Sequence, residues 1–104
     1  MKKIKQLVVK KFKNKKQPLF VTNGLNAFWV HQGPTLRSLA DLAKFLEIIT
    51  EEQFAYHVKR NGNDFSRWVA EVLQDKVAAA ALARAKTRAA ALTAARRALV
   101  RYDV

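Results

Sequence analysis

The sequence predicts a mainly α fold. It reads as a compact bundle of three short helices followed by a long, basic, alanine-rich C-terminal helix, and it allows a small N-terminal β-hairpin over about residues 19–30. Three observations lead there. Apolar residues recur at helical spacing from Leu39 onward. Capping residues stand in front of each such stretch. From Lys76 to Arg101 there is neither proline nor glycine, and alanine and arginine, both strong helix formers, dominate.

Residues 1–17 alternate lysine with Ile4, Leu7, Val8, Val9 and Phe12, a pattern open to strand, short helix or an arm without structure of its own. Pro18 closes it, because it lacks an N–H and pushes Gln17 toward an extended conformation. The β-prone runs 19–22 and 27–30 flank Asn23-Gly24, the turn signal for the hairpin, and Gln32-Gly33-Pro34 is a second turn. Leu39, Leu42, Ala43 and Leu46 then fall on one helix face behind Ser38 as N-cap, with Asp41 three residues later. Thr50-Glu51-Glu52-Gln53 is a capping box that opens a second helix bearing Phe54 and Val58. Asn61-Gly62-Asn63 ends it, and Asn63 or Asp64 caps a third helix that buries Phe65, Trp68, Val69, Val72 and Leu73. Asp75 caps the last element, expected to run as one rod of about 39 Å.

At 104 residues there is room for one core, and a 50% hydrophobic content suffices to fold it. Three segments follow: a basic N-terminal arm over 1–18, a helical core over 19–75 and a basic helix over 76–104. The absence of cysteine excludes disulfides and thiolate chemistry. No apolar stretch is long enough to span a membrane, and Leu7-Val8-Val9 after the initial lysines is too short for a signal-peptide core.

The net charge of +12 is unevenly placed. Residues 1–40 carry nine cations and no acid, 41–75 carry four cations against seven acids, and 76–104 carry seven cations against Asp103 alone. Like charges at helical neighbour spacing destabilise the element that holds them, so two uncompensated basic stretches point to a polyanionic partner. On a helical wheel the C-terminal stretch shows a narrow apolar seam, with Lys76, Lys86, Arg97 and Arg101 on one flank, Arg84 and Arg88 on another, and Arg96 interrupting the apolar side. Its apolar face is mostly alanine, with no tryptophan or phenylalanine to insert into a lipid surface, which favours nucleic acid over membrane.

Little in the chain suggests catalysis. His31 and His57 lack a second histidine at metal-binding spacing, and the three glycines are isolated, so no metal, cofactor or phosphate-loop motif is present. A His57–Asp64–Ser66 constellation can be drawn, but Ser66 lies in the first turn of a helix, and a locally hydrogen-bonded core histidine is the favoured reading. Phe20, Phe28 and Trp29 could stack bases, but chains of this size more often use such residues as core.

Within residues 28–75 one combination is distinctive: Phe54-Ala55-Tyr56-His57-Val58, then Asn63-Asp64-Phe65-Ser66-Arg67-Trp68-Val69, then Leu73-Gln74-Asp75. With Phe28, Gly33, Leu36-Arg37-Ser38-Leu39 and Leu42, it resembles a small helical family of unknown function from archaea and some bacteria. The resemblance implies a helical fold and supplies no activity, substrate or site residue. The chain departs from that pattern at Gln74, where the family carries glycine, and its basic ends lie outside the matching block.

The expected function is therefore non-catalytic nucleic-acid binding, with structured RNA as the favoured partner and the ribosome in the cytoplasm as the favoured place. The contacts would fall on Lys2, Lys3, Lys5, Lys10, Lys11, Lys13, Lys15, Lys16, Arg37, Lys76, Arg84, Lys86, Arg88, Arg96, Arg97 and Arg101. Duplex DNA in a nucleoid is the alternative, since phosphate neutralisation is indifferent to which backbone supplies it. A helical protein-interaction module is the second alternative. In a larger particle, neighbouring proteins would also be partners.

Overall fold

The computed structural model describes residues 16–59 and 62–103, and over these the fold is mainly helical with a small N-terminal hairpin, as the sequence predicts. The helices are α1 (Leu39–Leu46), α2 (Glu51–Lys59), α3 (Asp64–Glu71), α4 (Lys76–Arg84) and α5 (Arg88–Leu99). Four starts follow the capping logic. Ser38 Oγ accepts from the Asp41 N–H at 3.1 Å, and Asn63 Oδ1 accepts from the Ser66 N–H at 3.0 Å. Thr50 and Gln53 bond reciprocally, at 3.0 and 3.1 Å, and Asp75 Oδ1 accepts from the Ala78 N–H at 2.9 Å. Each cap satisfies a backbone donor that the first turn leaves without a helical partner.

The hairpin lies later than the Asn-Gly signal suggests. Strands β2 (Phe28–Trp29) and β3 (Thr35–Leu36) pair antiparallel, with Phe28 opposite Leu36 and Trp29 opposite Thr35. The connecting turn is the second one, closed by Gly33 N–H to Val30 C=O at 3.0 Å. A Cβ at Gly33 would stand 2.8 Å from Val30 Cγ1, so the turn needs glycine for close approach. Asn23-Gly24 instead opens a short 3-10 turn (Gly24–Asn26), because the Asn23 side chain accepts from the Asn26 N–H at 3.0 Å. The run 19–22 is not a hairpin strand; its Thr22 N–H donates to Arg37 C=O at 2.8 Å.

The core is continuous from the hairpin to the C-terminus. Leu42, Leu46, Phe65, Val69 and Leu82 are fully enclosed, and Phe28 stacks on Phe65 with ring centroids 4.9 Å apart. Burying each such side chain stabilises the fold by about 1.5–3 kcal/mol. Ala78, Ala79, Ala91, Ala95 and Ala98 belong to the same core, so residues 76–103 pack as part of the globule rather than beside it.

The expectation of one long C-terminal helix is corrected. The stretch breaks at 85–87 into α4 and α5, which pack on each other while α3 covers α4 and α1 covers α5. Ala85 takes an extended conformation (ψ 110°), and Thr87 Oγ1 caps α5 through the Ala90 N–H at 3.1 Å. Intrinsic propensity favours a continuous rod, but a rod would leave one alanine face without partners, and tertiary burial outweighs a few tenths of a kcal/mol per residue. After α5, strand β4 (Tyr102–Asp103) runs parallel to β1 (Gln17–Pro18), so the two ends of the described chain meet.

Gln74 has a φ of 58°, in the left-handed region that costs a side-chain-bearing residue about 1–2 kcal/mol. Gln74→Gly is expected to stabilise the protein by about 0.5–1 kcal/mol once the flexibility of glycine in the unfolded chain is set against the relief. Urea unfolding midpoints of the two proteins check this.

Candidate nucleic-acid interface

The break at 85–87 creates the most distinctive surface feature. On one continuous helix Arg84 and Arg97 would stand about 20 Å apart along the axis and point roughly 140° away from each other. Folding α5 back along α4 brings Arg84, Arg97 and Arg101 to one groove of about 480 Å³. Its floor is alanine, chiefly Ala78, Ala81, Ala94 and Ala98, and Thr93 adds a hydroxyl. Alanine leaves the backbone surface low, while arginine side chains stand above it, so the groove is shallow-walled, apolar below and cationic at the rim.

A second hollow, of about 590 Å³, shares Val77 and Arg101 with the first and is bounded by Gln17. The Gln17 N–H donates to Arg101 C=O at 3.0 Å. Lys16 and Gln17, the first described residues, therefore lie at the end of the arginine groove.

The expected contact residues divide on this geometry. Arg84 and Arg97 are exposed, line the groove and form no ion pair with any described residue; exposed Lys76 and Lys86 likewise have none. Arg88 and Arg96 are engaged in surface ion pairs. Arg96 pairs with Glu47 at 2.8 Å, and Arg88 reaches Glu51 at 3.4 Å and Leu46 C=O at 3.3 Å. They tie α5 to the C-terminal end of α1, where cations complement the helix dipole. Arg37 stands at the exit of the hairpin, outside the groove, its Nε donating to Thr22 C=O at 2.9 Å. Lys16 is exposed beside Gln17. Lys2, Lys3, Lys5, Lys10, Lys11, Lys13 and Lys15 lie outside the described residues.

Arg101 has two attachments. It lines the groove and also pairs with Asp75 at 2.8 Å, while Tyr102 donates its hydroxyl to the same carboxylate oxygen. Burial opposes ionisation of Asp75, but the bonds from Tyr102, the Ala78 N–H and Arg101 together outweigh it and hold the carboxyl below its ordinary value. Burial, then the Asp75 carboxylate, push the Tyr102 phenol above its ordinary value. One buried acid thus caps α4, fixes a groove arginine and closes the terminal strand pair.

Of the His57–Asp64–Ser66 constellation the His57–Asp64 pair forms, while Ser66 bonds elsewhere. His57 is buried, donates from Nδ1 to Asp64 at 3.0 Å and accepts the His31 backbone N–H at Nε2 at 2.9 Å. A backbone N–H can only donate, so Nε2 serves as the acceptor and the ring clamps the hairpin turn to α2 and α3. Gln53 supports the clamp, its Nε2 donating to His31 C=O at 3.1 Å. Ser66 Oγ donates instead to Ala79 C=O at 2.7 Å and pins α3 on α4.

Among the described residues no helix is long and apolar enough to cross a membrane, and no group of His, Asp and Glu could hold a metal ion. Compared with protein-family models, with curated proteins and with solved structures, the chain finds no match. Its function has to be read from its own geometry.

Proposed function

We propose that the chain is a non-catalytic nucleic-acid-binding protein that holds structured RNA through phosphate contacts, and that it works in association with the ribosome. The observation that carries the reading is the α4–α5 groove. Arg84 and Arg97 face it with no acid of the described fold to neutralise them, over a floor low enough for a phosphodiester backbone to settle on. Guanidinium groups present a planar fork that matches phosphate oxygens, and a desolvated approach strengthens each bond. The lysines that precede Gln17 in the sequence add further cations for phosphate contact. A small body with a cationic groove and a lysine-rich leading sequence suits the crevices of a large ribonucleoprotein particle.

Replacing Lys10, Lys11, Lys13, Lys15 and Lys16 together with glutamine tests the arm. The variant is expected to leave RNA at lower salt than the parent. Its binding slope against salt should be shallower by about 0.7–0.9 for every phosphate that the lysines neutralise in the parent. Unchanged salt resistance would count against an RNA-binding N-terminal segment. Competition between structured RNA and duplex DNA at fixed salt is expected to favour the RNA.

A further inference from the structure

The aromatic residues of the hairpin region divide sharply. Phe28 is core, stacked on Phe65, whereas Trp29 is 70% exposed. The alternation of a strand explains the direction: Phe28 and Val30 turn inward, so Trp29 turns outward. Its backbone is fixed from below, with Val30 N–H donating to Pro34 C=O at 3.1 Å and buried Trp68 donating its indole N–H to Asn26 C=O at 2.8 Å. An indole held on a rigid strand loses little freedom on binding, which is how a stacking platform is built.

Across the strand pair from Trp29 stand a hydroxyl and, beyond it, a cation. Thr35 is directly opposite Trp29, and Arg37 lies two residues further along β3's direction. The Arg37 backbone N–H donates to Asp41 at 3.0 Å, but its guanidinium has no ion pair among the described residues. Through its bond to Thr22 C=O, that guanidinium ties the half-exposed Phe20 and exposed Val21 segment to the hairpin. An exposed indole and an exposed guanidinium two positions apart along the hairpin register, on a chain of charge +12, complement a nucleotide: the base takes the ring and the phosphate takes the arginine.

We infer that Trp29 stacks an unpaired nucleobase, with Arg37 holding the adjoining phosphate, so that the protein engages a single-stranded loop or bulge of the RNA as well as its phosphate surface. This rests on the proposed nucleic-acid binding and names the kind of RNA element read. Duplex bases are already stacked on each other and offer no free face to an indole, so the inference separates single strands from duplexes.

The chain has two tryptophans, and Trp68 is buried, so quenching by a ligand stacked at the surface falls on Trp29, with Trp68 emission as a constant background. The full-length protein is titrated with a single-stranded oligoribonucleotide, its duplex and inorganic polyphosphate, while binding is followed independently by anisotropy of a labelled RNA. Quenching of emission by the single strand alone is expected, and Trp29→Phe should remove that response. Trp29→Ala should weaken single-strand binding about ten-fold or more while leaving polyphosphate binding unchanged. Single-strand binding with unquenched emission, or full affinity in Trp29→Ala, would overturn the inference and leave phosphate binding standing. If no polymer binds, the proposed function itself fails.

Discussion

Replacing Arg84 and Arg97 together with glutamate is expected to lower affinity for structured RNA by about 100-fold or more at moderate salt, with helical content unchanged. Both side chains are exposed, neither is ion-paired within the described fold, and both border the same groove, so reversing them costs the globule little and the interface much. Two cations are removed and two like charges placed against phosphates, and the binding slope against salt should fall by about two units. Arg88 and Arg96 provide the contrast. Their glutamate variants break the pairs that link α5 to the start of α2 through Glu51 and to the end of α1 through Glu47, so the expected loss is in stability first. Equilibrium binding and thermal unfolding of the two double variants separate the roles.

Asp75→Ala is expected to destabilise the protein by about 3 kcal/mol, the combined loss of an N-cap and of two side-chain bonds to one buried carboxylate. The same substitution frees Arg101 and loosens the junction where the N-terminal segment enters. Its pH signature follows from the direction of the shift. Asp75 titrates below its ordinary value of 3.8 in the fold, so the unfolded chain takes up the proton more readily. The carboxylate's contribution is present in full above that ordinary value and is lost as pH falls through the lower folded one. The stability gap between parent and variant should therefore be constant near neutrality and shrink below pH ~4. Tyr102 acts at the other end: its raised phenol stabilises the fold below its ordinary value of 10.0, and that contribution is lost as pH rises through the higher folded value. Urea unfolding across pH measures both.

Much of the fold is legible in the sequence because its instructions are local. Ser38, Thr50, Asn63 and Asp75 are capping residues in front of apolar periodicity, and each forms the cap expected of it. The break at Thr87 is harder to see, since alanine and arginine on either side argue for continuity and only a single threonine marks a start. What decides it is long-range, the burial of Ala91, Ala95 and Ala98 against the rest of the core. The hairpin shifts for a similar reason: Asn23 commits its side chain to a 3-10 turn, and the Gly33 turn wins because Gln53 and His57 clamp it to α2. Charge segregation signals a cationic surface, but not which cations share it. Arg84 and Arg97 are apart on a helical wheel and together in the fold, whereas Arg88 and Arg96, similar in sequence, are taken up by Glu51 and Glu47.

Sedimentation of the native protein from a cell lysate, at two salt concentrations and with or without RNase, tests the central claim most directly. Co-migration with ribosomal particles at low salt, abolished by RNase or by high salt, is the expected result. Migration as a free small protein at low salt, or with chromosomal DNA regardless of RNase, would contradict it.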